Sequence, residues 1–131
     1  MPKVKKLPKI TTLRNKLDRE FNAYIRERDG ACILSGVTTE LVCSHYYCKR
    51  ASPCLRWDER NAHAMSKTIH WKHHHGFEPD YALWMFSHYG MKYMKDLQTL
   101  AHIKATPLSR EYYELKIRHY QTKRKVLNAT K

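Results

Sequence analysis

The sequence predicts an α+β fold, mostly helical, in which a small ββα unit is enclosed by flanking α-helices. Apolar residues recur at helical spacing along most of the chain, two short β-prone stretches surround a turn-like Ser35-Gly36, and a further helical stretch closes at Gly76. With 131 residues, 42% of them apolar and 11% aromatic, the chain can bury one core, which excludes both a large multi-domain enzyme and a disordered basic tail. It divides into a basic tail over 1–11 and a single domain over 12–131, with the ββα core at about 31–76 and a helical extension at 77–127.

The first helix is predicted by Leu13, Leu17, Phe21, Tyr24 and Ile25, capped by Thr11 or Thr12 and stopped at Asp29-Gly30. Residues 31–34 and 40–44 read as the two strands of a hairpin. Residues 46–60 have no clear period and contain Ser52-Pro53, so they read as a loop. Residues 62–75 read as a helix, with Gly76 just past its end. Pro79 suits the first turn of a helix over about 79–88 that ends near Gly90, and Met94, Leu97 and Ala101 mark another. Thr106-Pro107 breaks the chain, and Ser109 caps a last helix with Tyr113, Ile117 and Tyr120 on one face.

Lysine and arginine number 25 against 12 acids, a net charge of +13, and much of the excess sits at two acid-free ends. Residues 1–16 carry Lys3, Lys5, Lys6, Lys9, Arg14 and Lys16; residues 116–131 carry Lys116, Arg118, Lys123, Arg124, Lys125 and Lys131. Such ends are the footprint of a polyanion binder, because each phosphate neutralised releases condensed counterions. Solvated surface charge is the plainer reading, and it suits one such run better than two. An anionic membrane surface fits less well, since neither end sets a strong apolar face beside its lysines. The longest apolar run, residues 81–86, falls far short of the roughly 20 residues a bilayer span needs, and the N-terminus lacks the apolar stretch of a secretory signal. A soluble, cytoplasmic protein is expected, where Cys32, Cys43, Cys48 and Cys54, with no C-x-x-C pair among them, read as free and partly buried thiols.

Histidine is abundant, with nine residues, and its placement carries chemistry. His45 directly follows the second predicted strand, Asn61 opens the next predicted helix, and His70 and His74 lie one turn apart within it. Residues at i and i+4 share a helix face with Cβ atoms roughly 5–6 Å apart, so this pair can grip one ion, whereas His73 and His75 point elsewhere on the wheel. An H…N…H…H series in a ββα unit suits phosphodiester hydrolysis. A neutral imidazole at the end of a rigid strand is a good base for water near pH 7, and a divalent ion with few protein ligands keeps positions open for phosphate oxygens. Asn61 would orient His45 through its side chain or by pinning the loop. Each residue also has a plainer reading: His45 as a hydrogen-bonded half-buried histidine, residues 73–75 as a solvated helix end, Asn61 as an N-cap.

Ser44-His45-Tyr46, followed by Leu55-Arg56-Trp57-Asp58-Glu59-Arg60-Asn61-Ala62-His63, resembles the GHY/GHF…LRF(N/D)ERN-x-H signature of the phage NinG, or Rap, recombination nucleases. The similarity continues weakly through Gly76, Tyr81, Tyr89-Gly90 and the final helix, over about residues 20–125. The resemblance implies an HNH-like ββα-metal core that cuts branched DNA, such as Holliday junctions or displaced-strand intermediates, leaving 5′-phosphate and 3′-hydroxyl ends. It places His45 on the general base, Asn61 on the central asparagine, and His70 and His74 on the helical ligands of one divalent ion: Mg²⁺ or Mn²⁺ first, Zn²⁺ or Ni²⁺ as alternatives.

Two departures accompany it. Many HNH proteins carry Asp or His before the base, where this chain has Ser44, so water, substrate phosphate or Asp58 would complete the ligand shell. The family commonly carries two C-x-x-C knuckles around a structural zinc; here Cys32 is matched with Ser35, and the second pair reads Ser66 and Ile69. No four-cysteine zinc is therefore expected, and Trp57, Trp71, Trp84 and Phe86 would help hold the core instead.

Lys49, Arg50, Arg56, Arg60, Lys67 and Lys72 surround the predicted site and could line a path for DNA, with Arg56 and Arg60 as bidentate phosphate clamps. A salt bridge from Arg60 to Asp58 or Glu59 is an equal alternative. The sequence thus predicts a metal-dependent endonuclease acting on branched DNA, with no membrane partner and no small-molecule substrate. Symmetric cutting of a four-way junction would favour a homodimer. The rival readings are a non-catalytic junction or single-strand binding protein with a vestigial site, and a basic RNA-binding accessory factor.

Overall fold

Leu13, Leu17, Phe21, Tyr24 and Ile25 fall on one face of a 20-residue helix, α1 (Ile10–Asp29), and all five are buried. The structure is a computed structural model that describes residues 6–76 and 78–131. Part of the expected basic tail, residues 1–5, lies outside the described residues, as does Phe77 at the start of the expected extension. Helix α1 begins two residues before the predicted caps, at Lys9, which makes no side-chain cap. It stops as expected at Gly30, whose φ of 68° lets its N–H turn back to the Arg26 carbonyl at 2.9 Å.

The predicted hairpin is corrected. Residues 40–44 overlap a true strand, β1 (Leu41–His45), but its partner is β2 (Ala62–Ser66), taken from the stretch read as helix. The pair is antiparallel, from Leu41 opposite Ser66 to His45 opposite Ala62. Residues 31–34 instead belong to a local turn, in which Cys32 bonds Val37 and Gly36 through its own backbone. Side-chain and backbone groups close the outer edge of β2: the Asp29 carboxylate accepts the Ala64 N–H at 2.8 Å, and Ile33 donates to the Ala64 carbonyl at 3.1 Å. Burial of all four residues from Ala62 to Met65 overrides the helix preference of two alanines.

Helix α2 (Lys67–His74) therefore starts five residues later than predicted, capped by Ser66, whose hydroxyl accepts the Ile69 N–H. The remaining elements follow the sequence closely: α3 (Pro79–Tyr89), α4 (Met91–Ala101) and α5 (Arg110–Ala129), the last capped by the Ser109 hydroxyl on the Tyr112 N–H at 3.1 Å.

Alternation along the strands divides the core in two. Cys43 and Ala62 pack toward α1 and α5, with Phe21, Ile117 and Tyr120, while Val42 and Met65 pack toward α3 and α4, with Tyr81, Met85 and Leu97. Arg124 of α5 ties the first layer together through Glu20 and Glu27 of α1, so part of the basic C-terminus is scaffold. Of the four aromatics expected to hold the core, Trp57 and Trp84 do so, but Trp71 is 61% exposed and Phe86 41%. Helix α2 has no buried residue, and Trp71 stacks on His75 at its surface. No helix among the described residues is long and apolar enough to cross a membrane.

Candidate functional site

The loop over 46–61 joins the two strands, and the residues of the LRWDERN segment hold it in place. Leu55 is fully buried beneath it. Asp18 of α1 accepts from the Arg56 guanidinium and, at 2.9 Å, from the Trp57 indole N–H. Burial would raise the Asp18 carboxyl, but those donors and the Arg56 charge hold it below its usual value. Glu59 accepts from Lys123 and Tyr120 of α5. Asn61, completely buried, donates its amide to the carbonyls of Tyr47 and Leu55 and accepts the Tyr47 N–H at 2.9 Å. Asn61 thus pins the loop and does not cap a helix.

His45 closes β1 under this loop. Its Nε2 lies 2.9 Å from the Arg56 carbonyl. A carbonyl only accepts, so Nε2 carries the proton and Nδ1 keeps its lone pair. The ring lies over Phe21, with centroids 6.1 Å apart. Burial lowers the His45 pKa, which keeps the imidazole neutral near pH 7.

His45, His70 and His74 line one cleft of about 640 Å³ together with Lys49 and Arg50. The His70 and His74 rings, one turn apart on α2, are stacked with centroids 6.0 Å apart. His70 Nδ1 is buried without a hydrogen-bond partner, and burial, then its neighbouring histidines, lowers its pKa. His73, expected to point elsewhere, lines the same cleft and donates to the Tyr46 carbonyl at 2.9 Å, because α2 packs against the start of the loop. His75 stays at the surface on Trp71.

The other predicted residues are placed differently. Asp58 does not reach the histidine cleft: it caps its own turn and holds Arg60 by two bonds, at 3.0 and 2.9 Å. Arg56 is engaged by Asp18, so both expected phosphate clamps already have carboxylate partners. Lys67 sits at the first turn of α2, 3.8 Å from Glu40, and Lys72 is exposed on that helix; neither lines the histidine cleft. No group of three His, Cys, Asp or Glu among the described residues is arranged to hold a metal. Around the Cys32-Ser35 turn, the Cys32 thiol packs 4.0 Å from Met65 Sδ, with Ile69 in the same apolar cluster.

One buried histidine outside the predicted site supports it from below. His63 bridges two tyrosines, with Nδ1 2.9 Å from the Tyr81 hydroxyl and Nε2 2.7 Å from that of Tyr89. Tyr81 spends its only proton on the Ser44 carbonyl, so His63 Nδ1 must donate to Tyr81 and Nε2 must accept from Tyr89. The chain of bonds ends on the residue before His45. Burial drives the His63 pKa down to about 3. Its position in the ERN-x-H segment was the only sequence signal for this role.

Fold and cleft together define a class: a basic, mostly helical α+β protein whose two-stranded antiparallel sheet carries a histidine cleft flanked by cations. The chain matches the model of a family described as Bacteriophage Lambda NinG protein over residues 2–130, nearly its whole length. It belongs to that family, and the membership points to a phage recombination-related role. No curated protein and no solved structure matches it.

Proposed function

We propose that the protein is a divalent-metal-dependent DNA endonuclease of HNH-like type that hydrolyses phosphodiester bonds in branched recombination intermediates. The observation that carries this reading is the hydrogen bond from His45 Nε2 to the Arg56 carbonyl, which leaves Nδ1 as the acceptor at the end of a strand, in a cleft shared with His70 and His74, while burial favours the neutral ring. In this reading His45 Nδ1 takes the proton of the attacking water, and Lys49 and Arg50 hold the strand by its phosphates. Asn61 positions His45 through the loop that presents the Arg56 carbonyl.

The metal fit rests on His70 and His74. The unpartnered His70 Nδ1 and the one-turn spacing suit a cation held by two imidazoles, with its other positions left to water and phosphate oxygens. Once bound, such an ion supplies Lewis acidity at the leaving 3′-oxygen. With Asp58 held by Arg60 and no carboxylate lining the cleft, the donors favour Mn²⁺, Zn²⁺ or Ni²⁺ over Mg²⁺.

The rival reading, a junction-binding protein with a vestigial site, is favoured by the lack of a three-donor group among the described residues. Incubating branched DNA with the protein and Mn²⁺, then with EDTA, separates the two. Metal-dependent cleavage that is lost in His45→Ala while DNA binding persists supports the nuclease. Binding without cleavage under every divalent ion would establish the rival.

A further inference from the structure

A second cleft, of about 980 Å³, shares Lys49 and Arg50 with the histidine cleft. Arg14 of α1 and Lys116 of α5 add two more cations, and Trp57 and Tyr112 contribute aromatic surface beside Ile10 and Leu108. None of these four cations is in a salt bridge among the described residues, whereas the acid and the arginine of the loop that also line the cleft, Asp58 and Arg56, are bonded to Arg60 and Asp18. Arg14 Nε is buried without a hydrogen-bond acceptor, and Lys116 Nζ lies 5.9 Å from the Tyr112 ring centroid.

This combination discriminates between occupants. A double helix offers phosphates and sugars but keeps its bases stacked inside, so it would satisfy the cations and leave the aromatic and aliphatic wall against water. An unpaired strand brings both groups at once, phosphates for the cations and base faces for the rings. We propose that this cleft receives an unpaired DNA strand adjoining the scissile phosphate. The strand would pass from the histidine cleft to the second cleft over Lys49 and Arg50, which line both. The proposal rests on the nuclease reading for where the scissile phosphate lies; occupancy of the cleft by a single strand does not.

The test is fluorescence anisotropy of the full chain in EDTA, with a labelled oligo-dT and a duplex of the same length. Tyr112→Ala is expected to weaken oligo-dT binding about fivefold or more and to leave duplex binding within about twofold, while Tyr112→Phe retains affinity for both. Arg14→Glu combined with Lys116→Glu should weaken oligo-dT at least about tenfold. Photo-crosslinking of the unsubstituted protein to a bromodeoxyuridine oligonucleotide should modify peptides containing Trp57 or Tyr112, a readout independent of any variant's folding. Unchanged oligo-dT affinity in the variants, equal losses for duplex and single strand in Tyr112→Ala, or crosslinks confined to other peptides would overturn the proposal. An oligo-rU that competes about tenfold better than oligo-dT would overturn the assignment to DNA. Because binding and crosslinking are read in EDTA, where no metal-dependent cleavage occurs, failure of the cleavage assay and failure of this cleft are separate results.

Discussion

His45 Nε2 and the carbonyl of Arg56 are 2.9 Å apart, and this bond ties a side chain at the end of β1 to the loop that returns to β2. The bond fixes which nitrogen is the base, and the loop's own anchors fix where the ring points. Burial lowers the His45 pKa below its ordinary value of 6.5. If His45 is the general base, the acid limb of the cleavage profile must lie below that value. At saturating metal, kcat/KM should rise with pH and reach a plateau before neutrality. An inflection above pH 7 would assign the base elsewhere.

The loop's anchor on α1 is a second point of control. Asp18 engages the guanidinium of Arg56 and the indole of Trp57, so Asp18→Asn removes the charge from a partly buried, doubly bonded acceptor. A hydrogen bond to a charged group contributes about 1.5–3 kcal/mol, and a destabilisation of about that size is expected in urea unfolding at pH 7. Because the Asp18 pKa is lowered in the folded state, its contribution is full above the ordinary carboxylate value of 3.8 and is lost as the pH falls below it. The loss measured for Asp18→Asn should therefore shrink in acid. Cleavage should fall more than DNA binding, because the loop orients His45.

What the sequence could and could not disclose follows from range. Helices whose buried residues repeat locally, such as α1 with Leu13, Leu17 and Phe21, or α5 with Tyr113, Ile117 and Tyr120, were legible to within a few residues. The strand β2 was not, because Ala62-His63-Ala64-Met65 is held extended by long-range partners: Asp29 on its edge, β1 beside it, and Tyr81 and Tyr89 on His63. The i, i+4 pair His70 and His74 was legible from spacing alone. Arg56 was read as a phosphate clamp because its charge is visible in the sequence, while Asp18, 38 residues away, is not visibly its partner; for Arg60 the alternative of a salt bridge to nearby Asp58 is the one formed. The second cleft draws Arg14 and Lys116 from opposite ends of the chain, so only the packing of α1 beside α5 could reveal it.

Metal binding should be measurable without DNA. Titration of Mn²⁺, Zn²⁺ or Ni²⁺ followed by calorimetry should give one site per chain, and the bound ion should raise Tm by mass action. His70→Ala and His74→Ala should each abolish the signal, because two imidazoles are the whole protein contribution on this reading. Asp58→Ala should leave metal affinity unchanged, since that carboxylate is bonded to Arg60. A loss of affinity in Asp58→Ala would show that the loop rearranges to complete the ligand set.

The buried His63 gives the fold a pH dependence with a definite sign. Its folded pKa is about 3 against an ordinary 6.5, so between these values the unfolded chain binds a proton that the folded chain does not. Stability is therefore full above 6.5 and declines as the pH falls toward 3, by up to about 1.4 kcal/mol per pH unit from this one group. The lowered values of His45 and His70 act in the same direction. Carboxylates with lowered values, Asp18, Glu27 and Glu59, act only below about 4.5, so the interval from pH 6.5 to 5 reports on histidines. His63→Gln keeps an amide donor and acceptor between Tyr81 and Tyr89 but cannot be protonated in this range. Urea unfolding across that interval should show His63→Gln less stable than the parent at pH 7 and visibly flatter in its pH dependence. An unchanged slope would mean that His63 is protonated inside the fold, and the direction of bonds from Tyr89 to the Ser44 carbonyl would have to be reassigned.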